Sequence, residues 1–277
     1  MLAGFSALLY GIADFSGGFA AGRSRLLSVL LLSQLVGLAT ALSALAILGH
    51  GAPTLRDLGW SFLAGLFGSM GMVMLWGGIA RSIVAIVSPA SAVVGAVIPI
   101  LFAVLSGERP SATALIGCAL CLPAILLLSW EPAGADQRHG TVRSALAYGT
   151  LAGLGFGVFF IALSRTSPQA GMWPIVAARV ASFAAFIIVW AVSRQPFKLE
   201  RKALAPTLLA GAADMGANIL FLLATQCGML SLVSMITALF PAPTVILARI
   251  FLNQRIPPLR FAGLVLALSG VGLISLR

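Results

Sequence analysis

The chain has 277 residues, of which 60% are hydrophobic and only 9% charged, and its formal net charge is +10. A soluble domain of that length has too little polar surface to hide so much apolar material, so the composition reads as a polytopic membrane protein without an ATPase or receptor domain. The seventeen Lys and Arg residues fall mainly in loops and at helix ends, where they orient the chain and touch anionic headgroups, and nucleic-acid binding is not expected.

A run of about twenty apolar residues, rising 1.5 Å each, crosses the ~30 Å hydrocarbon core of a bilayer. Hydropathy windows predict ten such helices, over residues 2–21, 27–48, 58–80, 83–105, 112–130, 144–163, 172–192, 204–225, 229–251 and 259–276. The first lacks a basic leader and a small-residue cleavage site, and is expected to be a retained helix rather than a signal peptide. The longest polar connection, Glu131 to Arg143, divides the chain into residues 1–130, a linker 131–143, and residues 144–277. A second basic connection, Ser193 to Lys202, is expected to rest Phe197 and Leu199 in the membrane interface.

Shifting the second half back by 146 positions places Gly211 on Gly65, Ser234 on Ser88, Ile246 on Ile100, Gln254 on Glu108, Arg255 on Arg109 and Gly263 on Gly117. One offset that carries a glycine, a hydrophilic turn and its arginine across three helices points to duplication. Five is an odd number, so the second copy enters the membrane upside down. The expected fold is all-α and integral to the membrane, ten transmembrane helices in two inverted five-helix repeats. Secondary transporters use that plan, with the substrate site near the midplane.

Prolines interrupt two corresponding helices, Pro89 and Pro99 in the fourth and Pro241 and Pro243 in the ninth. Each removes a backbone donor and crowds the carbonyl four residues back. They read as helix-break or gating candidates at a transport pathway, or as kinks that serve packing. Ionisable residues at membrane depth are costly and point to function. Asp14 is mid-span, with Tyr10 one turn below. It reads as a proton acceptor or cation site, or as the structural partner of Arg179 or of backbone amides freed by a kink. Arg179 reads as a clamp for a substrate carboxylate or as half of an internal ion pair with an aspartate. Asp214 shares a face with Asn218, and Gln34 stands in the second helix where Arg179 stands in the seventh. Arg249 lies within a turn of its helix end and is expected to snorkel. Trp60, Trp76, Trp130, Trp173 and Trp190 read as interfacial anchors, with Trp76 also a candidate for the cavity wall. Glycines spaced four apart, Gly18/Gly22 and Gly149/Gly153/Gly157, read as close-packing faces.

The three cysteines, Cys118, Cys121 and Cys227, are odd in number and lie in or beside apolar segments, so packing is expected rather than a disulfide framework, zinc or redox chemistry. The chain has no phosphate-binding loop, no zinc-protease or serine-hydrolase motif and no di-metal carboxylate set, so neither an enzyme, a cofactor nor a metal is expected.

Leu9 to Gly18 (LYGIADFSGG) resembles the first helix of the EamA family of the drug/metabolite transporter superfamily, with Tyr10 where the family has Trp. Gly107-Glu108-Arg109 and Asn253-Gln254-Arg255 are similar to the turn that closes the fourth helix of each family repeat, although Gln254 departs from the usual glutamate. Ala238 to Pro241, Pro243-Thr244 and Ala248-Arg249 resemble the family's ninth-helix run, and Gly117 and Gly263 fit the glycine of the next helix. The resemblance spans essentially the whole chain. It implies ten helices in two inverted repeats, with the first four helices of each lining a cavity. It also implies secondary transport of small metabolites, commonly efflux of amino acids and related compounds.

The function expected is export of a small organic metabolite by alternating access. A proton-coupled cation or drug exporter working through Asp14 is the alternative within transport, and a channel or non-transporting scaffold the alternative outside it. The partners expected are the bilayer, a small-molecule substrate and, for a coupled carrier, protons. The oligomeric state stays open, with a monomer plausible, and the location expected is a bacterial cytoplasmic (inner) membrane. Loops and tails on the side of the termini carry Arg56, Arg109, Arg165 and Arg277, whereas the opposite side carries Arg23, Arg25, Arg81, Arg138, Arg143, Arg194, Lys198, Arg201, Lys202, Arg255 and Arg260. The positive-inside rule places both termini outside the cytoplasm, whereas the resemblance implies termini inside. The charge distribution is followed here.

Overall fold

A computed structural model describes residues 1–48, 51–82, 84–128, 141–252 and 257–275. Their α-helices are α1 (Leu2–Ala21), α2 (Leu26–Leu48), α3 (Leu55–Arg81), α4 (Val84–Leu105), α5 (Ala112–Leu128), α6 (Val142–Ser164), α7 (Trp173–Ser193), α8 (Arg201–Cys227), α9 (Leu230–Thr237), α10 (Pro241–Leu252) and α11 (Pro258–Ser275). A single 3₁₀ turn covers Pro168–Ala170, and no strand occurs among the described residues. In hydrocarbon every backbone N–H and C=O must be satisfied within its own segment, and helices do this. Among the described residues α1, α2, α3, α6, α7 and α8 are long and apolar enough to cross a membrane, and shorter apolar stretches run over Pro89–Leu105, Ala112–Leu128, Leu230–Thr244 and Pro258–Ile274. Large apolar side chains such as Leu42, Leu101, Ile188, Phe251 and Leu268 are exposed on the outside of the bundle. That is the surface a bilayer covers, and a helix apolar on all faces is expected there.

Helix ends follow local chemistry. The Thr54 hydroxyl accepts from the Asp57 amide, and the Asp57 carboxylate accepts from the Thr54 amide, closing a capping box that starts α3. Thr141 and Ser111 cap α6 and α5 through the Ser144 and Ala114 amides. Gly107 ends α4 at φ 99°, a conformation that favours glycine, while the Glu108 amide bonds back to the Ala103 carbonyl. That turn aims Glu108 at the start of α9.

Two elements differ from the sequence expectation. The ninth predicted helix is two helices, α9 and α10, separated by a turn at residues 238–240. Pro241 has no N–H to continue the ladder, and a proline disfavours the helical region for the residue before it. The fourth helix is continuous across Pro89 and Pro99. Leu199 packs on Ala20, Val29 and Ala203 instead of resting in the interface, whereas Phe197 is exposed.

The halves pack on one another reciprocally. Gly65 on α3 sits against the Ala178 carbonyl on α7, and Gly211 on α8 sits against the Ser33 carbonyl on α2. Gly117 on α5 meets Ile274, and Gly263 on α11 meets Leu128. Each contact is the other's counterpart at the 145–146 residue offset. No side chain fits at Gly65 or Gly211 without displacing backbone. The Gly149/Gly153/Gly157 face holds α6 close to Val87, Ser91, Val94 and Ile98 of α4. Gly18/Gly22 does not act this way, since a Cβ at Gly18 would meet nothing within 4 Å. Cys118 and Cys121 are buried, with Cys121 packed against Gly270, and Cys227 is exposed.

Candidate functional site

A cavity lies between the halves, bounded by α1, α2, α3, α4, α6, α7 and α8 and by the turn between α9 and α10; with the open solvent at its mouth it holds about 970 Å³ of atom-free space. Its walls are mostly apolar: Phe156, Phe159 and Phe160 from α6, Met72 and Leu75 from α3, and Phe240 at the α9–α10 turn. Asp14, Arg179 and Asp214 are the charged residues among the described lining, beside Tyr10, Gln34, Ser91, Ser182 and Asn218.

Most of these polar groups are joined. The Arg179 guanidinium donates to the Asp214 carboxylate and to the Gln34 side-chain oxygen. Ser182, one turn on from Arg179, donates to the same oxygen at 3.3 Å and exchanges a 2.8 Å bond with Ser69 on α3. The Asn218 amide donates to the Asp214 carbonyl at 2.7 Å, and the Tyr10 hydroxyl donates to Asn218 Oδ1 at 2.8 Å. The network therefore links α1, α2, α3, α7 and α8 across the two halves. Gly37 makes room for it, because a Cβ there would lie 3.0 Å from Arg179 Cζ. With its donors directed at Asp214 and Gln34, Arg179 is the internal ion pair rather than a free carboxylate clamp. Its partner is Asp214 on α8 and not Asp14, which makes no hydrogen bond or ion pair among the described residues.

The two ends of the cavity differ. At the end with the connections before α3, after α4 and after α6, one continuous core joins Ala3, Leu45, Ala103, Leu163, Val176, Phe221 and Val233 from seven helices. Polar latches cross that end between the halves. Glu108 accepts from the Leu230 and Ser231 amides at 2.8 and 3.0 Å and from the Ser231 hydroxyl at 2.6 Å. Asp57 accepts from the Ser167 amide at 2.7 Å, and Arg165 donates to Ser106 at 3.0 Å while lying over the Phe102 ring. At the opposite end the described buried apolar residues form separate clusters, one of α3, α4 and α6, one of α1, α2 and α8, and one around Leu30, Leu31 and Phe186. Polar bonds join the halves there as well: the Lys198 and Glu200 amides donate to the Ser28 and Ser24 hydroxyls at 2.9 and 2.7 Å, and the Ser82 and Ser144 hydroxyls bond at 2.9 Å.

The structure thus brings together Tyr10, Asp14, Gln34, Arg179, Asp214 and Asn218. Trp76 belongs to α3, but its side chain, like that of Arg249, lies outside the described residues, as do Trp130, Gln254, Arg255 and the linker residues 131–140. Pro243 packs against Gly11 of α1, and the Thr244 hydroxyl donates to the Gly11 carbonyl at 3.2 Å, tying the α9–α10 break to the helix that carries Asp14. Pro89 and Pro241 are buried in the bundle. Sequence reasoning missed the Phe156/Phe159/Phe160 wall, although spacings of three and four mark one helical face. It also missed Ser182 and Ser91, which carry no signal against a background of scattered serines.

Residues 141–276 match the family model described as EamA-like transporter family. Through this half the chain belongs to that family, within the drug/metabolite transporter superfamily. EamA proteins are transporters rather than enzymes, and the chain is an integral membrane protein of the DMT type. No curated protein matches it in sequence. Among solved structures 29 chains match, including one titled "Crystal structure of protein" with a TM-score of 0.80 and 16% identity, covering 99% of this chain and 97% of that one. At that identity the likeness is one of fold.

Proposed function

We propose that this EamA chain is a secondary transporter that exports small organic metabolites, amino acids or related compounds, by alternating access from the cavity between its halves. The observation that carries the proposal is the contrast in apolar packing between the ends of that cavity: among the described residues one continuous core at one and separate clusters at the other, with polar bonds joining the halves at both. A carrier needs two such ends whose closure can alternate, whereas a scaffold needs neither and a pore needs both open. The contacts of Gly65 on Ala178 and Gly211 on Ser33, and of Gly117 on Ile274 and Gly263 on Leu128, are counterparts and support a pseudo-twofold relation between residues 1–130 and 144–277. With α9 and α10 taken as one crossing, each half crosses five times, and an odd number puts the twofold axis in the membrane plane. The loosely packed end carries the basic loops with Arg23, Arg25, Arg194 and Lys198. The positive-inside rule turns it to the cytoplasm of a bacterial inner membrane, the side on which an exporter loads.

The second reading, proton coupling, is favoured by one observation, an Asp14 that has no hydrogen bond or ion pair among the described residues and lines the cavity. If Asp14 carries the coupling proton alone, Asp14→Asn abolishes proton-driven accumulation and keeps substrate exchange.

Thiol accessibility tests the main reading. In a Cys227→Ser background, Leu75→Cys should react with a membrane-impermeant reagent from the basic-loop side only. Glu108→Ala with Asp57→Ala should open the latched end and admit the reagent from that side too. Labelling of the intact protein from the latched side would contradict the reading.

A further inference from the structure

We propose that the cavity takes a small organic monocation, a protonated amine on an apolar or aromatic body, with its ammonium at Asp14 and Ser91. The inference rests on the transport reading of the same cavity and, among small organic metabolites, favours amines without a carboxylate over amino acids.

It starts from the charges. Arg179 and Asp214 neutralise one another, and the guanidinium is further occupied by Gln34. Asp14 then leaves one formal negative charge in the described lining without a match. A lone carboxylate among apolar walls is costly and is stabilised most by a cation that enters with its hydrogen-bond donors. Ser91 supplies a second observation. The residue is 1% exposed, it lines the cavity, and its hydroxyl oxygen has no hydrogen-bond partner among the described residues. Asp14 on α1 and Ser91 on α4 line one cavity, and an ammonium, with three donors, has hydrogen bonds for both. Thr237, 146 residues on, is likewise buried with an unmatched hydroxyl, so both halves keep such a group at the same place.

The remaining surface sets the body of the ligand. Phe156, Phe159 and Phe160 line the cavity with aromatic rings, whose faces attract cations, and Met72 and Leu75 add aliphatic surface. A free carboxylate fits poorly, because Arg179 is the cation of the described lining and is already engaged, while Asp14 and Asp214 repel an anion.

The test is calorimetric titration of the purified full chain with ligands that share one body and differ in charge: 2-phenylethylammonium, 2-phenylethanol and phenylacetate. Butylammonium serves as an aliphatic amine. The ammonium should bind at least tenfold more tightly than the alcohol, and phenylacetate should not bind. Asp14→Asn should weaken the ammonium at least tenfold and leave the alcohol unchanged, and Ser91→Ala should weaken it two- to fivefold. The proposal falls if phenylacetate or the alcohol binds as tightly as the ammonium in the unaltered protein. It falls too if neither amine binds at millimolar concentration, or if a folded Asp14→Asn variant keeps full ammonium affinity. Saturable counterflow of an anionic solute with no amine binding would keep the transport reading and defeat this one. Asp14-dependent amine binding without counterflow of any solute would do the reverse.

Discussion

Asp14 and Asp214 face one cavity from α1 and α8, and replacing each by asparagine should have unequal consequences for stability. Asp214 is the partner of Arg179, whose side chain is 7% exposed, and Asp214 itself is 18% exposed. Asp214→Asn keeps the size of the side chain and removes its charge, leaving a buried guanidinium with Gln34 alone. Removing one member of a buried pair costs about 3–5 kcal/mol, and the surviving Gln34 bond puts this case near the lower figure. At roughly 2–4 °C per kcal/mol for a large domain, the melting temperature should fall by about 6–12 °C. Asp14→Asn breaks no bond of the described structure and removes an unmatched charge from an apolar wall, so it should leave the melting temperature unchanged or raise it. Replacing both members of the pair, Arg179→Met with Asp214→Leu, should recover much of the loss, because a buried pair exchanged for apolar groups of similar volume is close to neutral. Thermal unfolding of the four purified proteins in one detergent checks all three expectations. If Asp14→Asn melts as early as Asp214→Asn, or if Asp214→Asn melts with the parent protein, the assignment of Arg179 to Asp214 is wrong.

Gly65→Val and Gly211→Val should each destabilise by about 1–3 kcal/mol or more through overpacking against the Ala178 and Ser33 carbonyls, and by similar amounts, because the two contacts are counterparts. Thermal unfolding measures both, and a tolerated valine at either would refute the reciprocal packing. A reporter active only in the cytoplasm, fused to the C-terminus, should stay silent if the basic loops face the cytoplasm, and a signal would reverse the orientation.

Much of the fold was legible because the bilayer imposes it. Length and apolarity alone place α1 through α8 to within a few residues, since a spanning segment has one solution for its backbone. The counterpart packing of the two halves was legible in Gly65 and Gly211, where contact between helix backbones tolerates only glycine. The α9–α10 break was half legible. Pro241 and Pro243 mark the place, but Pro89 and Pro99 carry the same signal and leave α4 unbroken, because the choice lies in tertiary packing around Gly11 and Thr244. In the site, the buried charges announced themselves through their cost, while their pairing did not. Asp14 and Asp214 are both one side chain from Arg179 in the sequence reading, and only the positions of α1 and α8 separate them. Ser91 and the aromatic wall of α6 were hidden by a composition in which serine and phenylalanine are ordinary.

The central claim, that this chain is a carrier whose cavity opens to one side at a time, is tested most directly by counterflow in proteoliposomes. Vesicles loaded with an unlabelled amine should take up the labelled amine transiently against its gradient, with a rate that saturates in external concentration and falls when the internal amine is omitted. Flux that rises linearly without saturation and ignores the internal amine would show a pore. Absence of any protein-dependent flux across amines, amino acids and sugars would remove transport itself.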